Sequence, residues 1–191
     1  MRRRWNSRLR PLIRPAVMTS HRPLPIHPSE AALNLTFESK LYRDLIREFA
    51  EHAGLDPDGL FLTQEIRVDN LPIGLQLDGD EELGDVLLFT SLGKPAEPQW
   101  AHLARLLLEA NHCWFGTGGA TLAAQPDTGN ITLWARVPLP GLDGAALAET
   151  LDSFADVAHF WREQVSDQGA QSPNEGNLAT MRVPFDPMLR V

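Results

Sequence analysis

The sequence predicts one α+β domain, in which helices pack on an antiparallel twisted sheet in the order α-β-β-β-α-β-β-α. Three observations lead to this prediction. Apolar residues recur at helical spacing at both ends and near the middle of the region 39–166, and five short segments between them are typical of strands. The connections are short, and no internal repeat or linker divides the region. One domain is therefore the economical interpretation.

The first helix is predicted to begin after Ser39, whose hydroxyl can cap it, and to end at Gly54. Its apolar stripe consists of Leu41, Leu45, Phe49 and Ala53. A loop is predicted over residues 55–59, because it carries a proline and a glycine.

Three strands are predicted next. Alternation of apolar and polar residues indicates strands over residues 60–68 and 73–78, and Val86–Thr90 follows as an apolar run. Because that run is apolar on both faces, we expect it to be central or covered. The segments Asp69-Asn70 and 78–85 are short and polar, as hairpin turns should be.

The second half of the domain adds two helices and a hairpin. A helix is predicted over Pro98–His112, and a hairpin pairs Thr121–Gln125 with Ile131–Val137. Asp143 is expected to cap a long last helix that reaches about Ser166. The apolar stripe of that helix has the spacing of a packed seam. It consists of Leu147, Leu151, Phe154, Ala158, Trp161 and Val165.

The middle helix is apolar on more than one side. One stripe contains Trp100, Leu103, Ala104, Leu107 and Leu108, while Leu106 and Ala110 lie outside it. A helix that buries a single face should show one stripe of roughly 100°. This helix therefore needs a second surface to cover it, and a partner subunit is the simplest source.

The charge of the chain is unevenly distributed. The net charge is −8, yet six arginines fall within the first 17 residues, which leaves 11 basic against 25 acidic residues in the rest, or −14. An acidic body repels nucleic acid and anionic membranes, so we predict neither as a partner. No apolar run is long enough to span a membrane, and a single cysteine fits a reducing compartment.

The two ends of the chain differ from the domain in composition. Residues 1–38 are rich in Pro and Arg and are predicted to be a disordered extension, with native initiation at either Met1 or Met18. An organellar transit peptide is the alternative for this segment, whereas prolines and Arg14 interrupt any signal-peptide core. Residues 167–191 are predicted to be a flexible tail.

The sequence contains no complete motif for catalysis or metal binding. The glycine cluster Gly116–Gly119 follows a helix and precedes a strand, the reverse of a phosphate loop, so Gly116 is expected to end the helix. The alternating acids Asp78, Asp80 and Glu82 lack the glycine and glutamate of a calcium loop. Cys113 is expected to be a core residue. We therefore predict no catalytic residue, no metal ligand and no cofactor.

Several segments resemble the CesT/Tir-type family of type III secretion chaperones, over about residues 40–164. These segments are HAGL after the first helix, EIRVDNLPIGLQLD, VLLFTSLG, LLLEANHCWFGTGGATLAAQPDTGNITLWARVPL and DSFADVAHFWREQV. The block LLEAN…GTGGATL…D…G is the most specific of them.

The resemblance implies a bacterial cytosolic homodimer without enzymatic activity. Such a chaperone binds the extended N-terminal segment of a secreted effector and keeps it soluble and competent for secretion, with the secretion ATPase as a further partner. By position, the dimer interface is expected at Trp100, Leu103, Leu107, Ala110 and Trp114.

Effector segments are expected to wrap the outer sheet surface and the first helix and to add a strand at an exposed edge. The candidate effector-binding residues are Leu41, Leu45, Phe61, Leu62 and Val68, with core packing as the alternative for each. Two other functions stay open: an adaptor that sequesters another cytosolic protein, and a ligand-binding or enzymatic dimer that uses a cleft under Gly116–Gly119. An enzyme would need clustered titratable residues in a pocket.

Overall fold

The computed structural model describes residues 39–79 and 84–167. The predictions for the N-terminal extension, for the start at Met18, for the C-terminal tail and for Asp80 and Glu82 lie outside the described residues. The described part contains a five-stranded antiparallel sheet and helices, which confirms the α+β prediction. No helix in these two ranges combines the length and the apolar character needed to cross a membrane.

The sheet has the strand order β1-β2-β3-β5-β4, and every neighbouring pair is antiparallel. The strands are β1 (Glu65–Val68), β2 (Leu71–Asp78), β3 (Asp85–Gly93), β4 (Thr121–Ala124) and β5 (Ile131–Pro138). Buried and partly exposed residues alternate strictly along β2 and β3. Successive side chains of a strand point to opposite faces of the sheet, and only one of these faces meets the core. The prediction that the third strand is central is confirmed.

The helices are α1 (Lys40–Ala53), α2 (Pro57–Thr63), α3 (Trp100–Asn111) and α4 (Gly144–Asp167), with short 3-10 turns at Glu97–Gln99 and His112–Trp114. Helix α4 crosses the buried face of the sheet and packs against α1. The two helices approach closely at Gly144, where a Cβ atom would lie 2.5 Å from the backbone of Glu48 and Phe49. Only glycine permits this contact.

Helix α1 confirms the predicted boundaries. The Ser39 hydroxyl accepts a hydrogen bond from the Tyr42 N–H at 3.1 Å, and Gly54 ends the helix in the left-handed region with φ 71°. The buried stripe is broader than predicted, however, and includes Tyr42 while Leu41 lies outside it. Burial raises the pKa of the Tyr42 phenol well above its usual value.

The predicted strand over residues 60–68 is wrong in its first half. Residues 57–63 form helix α2, because the Asp56 carboxylate accepts a hydrogen bond from the Gly59 N–H at 3.0 Å and Pro57 suits a first helical position. Gln64 ends α2 in the left-handed region, and only Glu65–Val68 continue as a strand. The N-terminal cap favours a helix here more strongly than the alternation of apolar residues favours a strand.

The segment between α3 and β4 also differs from its prediction. Helix α3 spans Trp100–Asn111 against the predicted Pro98–His112, and Gly116 does not end it. Cys113 and Trp114 both adopt left-handed backbone angles, φ 52° and 56°. The expectation that Cys113 is a core residue is wrong, because its side chain is exposed. The Trp161 indole fixes the turn by donating a hydrogen bond to the Gly116 carbonyl oxygen at 2.9 Å.

The remaining elements agree with their predictions. Asp69 and Asn70 both have positive φ, as a two-residue hairpin turn requires. The Asp143 carboxylate accepts a hydrogen bond from the Ala146 N–H at 2.8 Å and caps α4. All six residues of the predicted α4 stripe are buried.

Candidate protein-binding surfaces

Strand β1 forms one edge of the sheet, and no other strand lies beyond it among the described residues. Gln64 accepts a backbone hydrogen bond from Leu75, and Glu65 lies opposite Gly74. Because antiparallel partners alternate, Ile66 directs its backbone N–H and C=O toward β2, whereas Glu65 and Arg67 direct theirs outward. We call the outward side of residues 65–68 the β1 edge.

Strand β4 forms the opposite edge, and helix α3 packs against it. The Asn111 side-chain amide at the end of α3 donates from Nδ2 to the Leu122 carbonyl oxygen and accepts through Oδ1 from the Leu122 N–H, both at 2.9 Å. This pair of bonds imitates a neighbouring strand and occupies backbone groups that an added strand would need. The β4 edge is therefore blocked at its middle.

A cavity of about 340 Å³ opens between α1 and α2. Its lining residues are Arg43, Ile46, Arg47, Pro57, Asp58 and Phe61. The Arg43 guanidinium lies over the Phe61 ring, 5.7 Å from its centre, and Arg47 pairs with Asp44 at 2.8 Å. Phe61 lies four residues before the first residue of β1, so the cavity and the β1 edge are close in the chain.

The predicted effector-binding residues separate into two groups. Leu62 and Leu41 are exposed, at 74% and 40%, and Phe61 is half-buried at the cavity. Leu45 and Val68 are buried in the chain's own core, so the prediction that they meet an effector directly needs correction. Their apolar character is explained by core packing alone.

The predicted dimer-interface residues on α3 also separate. Three of them, Leu103, Leu107 and Ala110, are buried within the chain. They pack α3 against its own core and leave no side-chain surface for a second subunit to contact. Trp100 is half-buried and Trp114 is exposed. Whether α3 meets a second copy stays a prediction.

Two apolar residues that the sequence analysis did not place on a surface are the most exposed of this region. Leu108 is 73% exposed and Phe115 is 75% exposed. The sequence analysis placed Leu108 in the apolar stripe of α3 and Ala110 outside it, and both assignments are wrong. The buried positions are 103, 107 and 110, and position 108 lies beside exposed Arg105. We call Leu108, Trp114 and Phe115 the α3 patch.

The outer face of the sheet carries a pair of stacked rings. Phe89 and Trp134 lie opposite each other in β3 and β5, with ring centres 5.1 Å apart. Phe89 lies flat over Gly74 of β2, where an added Cβ would approach the ring to 2.2 Å. The Trp134 indole donates to the Thr132 hydroxyl at 2.8 Å. A glycine opposite an aromatic residue in the next strand was the sequence signal for this arrangement.

The described residues contain no cluster of three or more His, Cys, Asp or Glu side chains that could hold a metal ion. A cleft under Gly116–Gly119, which an enzyme or ligand-binding dimer would use, does not open at Gly116. That glycine is buried against Ala110, and a Cβ there would lie 2.9 Å from the Ala110 Cβ. Within the described ranges, accessible apolar groups occur at the α1–α2 cavity, the α3 patch and the outer sheet face, and at Leu41 and Leu62.

Comparison with known proteins adds a family match. The model of the Tir chaperone protein (CesT) family matches residues 44–162. Among solved structures, the chain is similar to the complex of the Yersinia pestis type III secretion chaperone SycH with a stable fragment of YscM2. The identity is 22%, with 62% of this chain and 98% of that chain covered and a TM-score of 0.47. The chain is also similar to the ExsC–ExsE complex, at 20% identity, with 64% of this chain and 92% of that chain covered and a TM-score of 0.47. A search of curated proteins finds no significant match.

Proposed function

Because the chain belongs to the Tir chaperone protein (CesT) family, we propose that it is a cytoplasmic type III secretion chaperone. Its client is the N-terminal segment of a secreted effector, held in an extended form. The chaperone performs no chemistry. It keeps the segment soluble and non-globular until the secretion machine takes it up.

The observation that carries this proposal is the difference between the two sheet edges. The β1 edge offers the outward N–H of Glu65 and the outward N–H and C=O of Arg67, whereas the Glu65 carbonyl oxygen accepts from the Thr63 hydroxyl at 3.3 Å. At the other edge, Asn111 occupies both backbone groups of Leu122. An extended segment that adds a strand obtains main-chain hydrogen bonds that do not depend on its sequence. A client can therefore be held without folding into a domain of its own.

We expect the α1–α2 cavity to supply the selectivity. Side chains of an extended segment alternate in direction, so one set can enter a pocket while the other faces solvent. The α1–α2 cavity and exposed Leu62 lie in the chain segment that leads into β1. Phe61, which lines the cavity, and Leu62 are the predicted effector-binding residues of this segment that stay accessible.

The α3 patch supports a homodimer. Large apolar side chains exposed together are unusual on a monomer and mark interaction sites. Leu108, Trp114 and Phe115 are each exposed, within the eight residues that run from the end of α3 into the loop after it. In a dimer one client could contact both subunits, and the second contact would benefit from a raised effective concentration. The secretion ATPase stays a predicted partner to which we assign no surface.

Light scattering and affinity purification from a bacterium with a type III secretion system test the proposal together. We expect a dimer that retains one secreted protein, whose first hundred or so residues suffice for binding. Amide hydrogen exchange of that bound segment should show protection only where it contacts the chaperone. A monomeric chain that retains no secreted protein would overturn the proposal, and retention of a folded cytosolic protein would favour an adaptor instead.

A further inference from the structure

The residues of the β1 edge differ in the backbone groups that they can offer to an added strand. Arg67 lies opposite Pro72, which has no N–H and whose carbonyl oxygen accepts from the Thr90 hydroxyl of β3 at 2.6 Å. The Arg67 N–H and C=O therefore both point outward. Glu65 offers its N–H, while its carbonyl oxygen accepts from the Thr63 hydroxyl at 3.3 Å. A client residue opposite Arg67 thus obtains two backbone hydrogen bonds, which fixes the register.

The side chains of the edge combine two opposite charges on one face with two apolar residues on the other. Glu65 and Arg67 point to the outer face of the sheet, and Ile66 and Val68 are buried on the core face. The Arg67 Nε lies 3.8 Å from the Glu65 Oε1, and both side chains are a little under half exposed. An exposed pair at this distance contributes little, so each charge is available to a residue of an added strand.

We propose that the β1 edge binds a client strand in the antiparallel direction, with an acidic residue opposite Arg67 and a basic residue opposite Glu65. Because the two strands run in opposite directions, the client reads apolar, acidic, apolar, basic from its N-terminal side. Its apolar residues lie opposite Val68 and Ile66, on the core face, and its charged residues face opposite charges directly across the strands. The inference rests on the proposed function and specifies the direction and the sequence of the bound segment.

The sheet supports the antiparallel direction. Every neighbouring pair of its five strands is antiparallel, and an antiparallel ladder is slightly more stable per residue than a parallel one. One antiparallel residue exchanges both hydrogen bonds with Arg67, whereas a parallel strand divides them between two residues. A parallel client would carry its basic residue before its acidic one. The order of the two charges in the client therefore reports the direction of the strand.

A peptide library tests the proposal without knowledge of the effector. A random 12-residue display library is selected against the full chain and against Glu65→Arg/Arg67→Glu, which exchanges the two charges at constant net charge. We expect the wild type to enrich Asp or Glu followed two positions later by Lys or Arg, with apolar residues before and between them. The variant should enrich the reverse order of charges. The matched control Arg162→Glu/Glu163→Arg exchanges two exposed charges on α4 and should select the same peptides as the wild type.

Binding of the consensus peptide then gives magnitudes. Exchanging its acidic and basic residues should weaken binding to the wild type about tenfold, because two attractive cross-strand pairs become repulsive. The exchanged peptide should recover its affinity for Glu65→Arg/Arg67→Glu. Methylation of the backbone nitrogen of the acidic residue removes a donor to the Arg67 carbonyl oxygen and should also cost about tenfold in affinity. The same methylation on the following apolar residue, whose N–H points away from β1, should leave binding unchanged.

The outcomes separate this inference from the proposed function. A wild type that enriches the basic residue first, or a charge order that does not reverse in Glu65→Arg/Arg67→Glu, would overturn the inference while peptide binding stands. Equal losses at the two methylated positions would contradict the register at Arg67. If no peptide is selected and no client is retained during purification, the proposed function fails as well.

Discussion

The two edge strands of the five-stranded sheet differ in what lies against their outward backbone groups. At β4, the Asn111 amide and helix α3 occupy the backbone that an added strand would use. At β1, the alternation of the ladder leaves Glu65 and Arg67 with outward backbone groups. Exposed edges invite aggregation unless they are managed. Among residues 39–79 and 84–167, a dedicated side chain closes one edge and no strand pairs with the other, which gives the proposed strand addition a direction.

The largest effect should come from proline in β1. Ile66→Pro removes a backbone donor that faces β2 and a buried side chain, so we expect a loss of about 3 kcal/mol or more in the free energy of unfolding. Arg67→Pro removes only an outward donor, and edge strands tolerate proline at such positions. It should unfold nearly as the wild type does while binding its client more weakly. Urea denaturation and client titration measure both quantities, and equal destabilisation by the two prolines would contradict the assigned alternation.

Asn111→Ala should have the next largest effect, because it leaves the Leu122 N–H and C=O without their partners. We expect a loss of about 1–3 kcal/mol in the free energy of unfolding. The variant should also associate further at high protein concentration, since it exposes the β4 edge. Asn111→Asp keeps the acceptor but places a carboxylate oxygen where Nδ2 donates to the Leu122 carbonyl oxygen, so it should destabilise at least as much as alanine. Unchanged stability in Asn111→Ala would show that the β4 edge is closed by packing alone.

The smallest of the three effects concerns the α3 patch. Leu108→Ser should raise the dissociation constant of the proposed dimer about tenfold, which corresponds to about 1.4 kcal/mol. Leu108 is exposed, so the free energy of unfolding of the isolated subunit should stay within about 0.5 kcal/mol. Leu62→Ser, at an equally exposed leucine on α2, is the control that should leave the dimer intact. Light scattering over a concentration series distinguishes the two, and a reversed result would move the dimer contact to the α2 side.

Most of the fold could be predicted because local signals agree with the tertiary structure. Ser39, Gly54, Asp143 and the Asp69-Asn70 turn mark boundaries through their own backbone chemistry, and the α4 seam shows which face is buried. The error at residues 60–64 has an equally local cause. The capping pair Asp56 and Pro57 favoured a helix where two leucines happened to alternate.

The binding surfaces were harder to predict, because an apolar residue in a core and one in a groove look the same in a sequence. Leu45 and Val68 are buried, whereas Leu108 and Phe115 are exposed. Only the packing of distant elements separates these cases. The hydrogen bonds between Asn111 and Leu122 join residues eleven positions apart, across a turn with two left-handed residues other than glycine. No periodicity of the sequence indicates such a contact.

The hydrogen bond from Trp161 to Gly116 sets an order of events during synthesis. Chains leave the ribosome from the N-terminal end, so the turn that carries Trp114 and Phe115 emerges long before Trp161. Until α4 is synthesised, the Gly116 carbonyl oxygen lacks the Trp161 indole N–H that it accepts from in the folded chain. We therefore expect the proposed dimer to form only after the last helix has been synthesised.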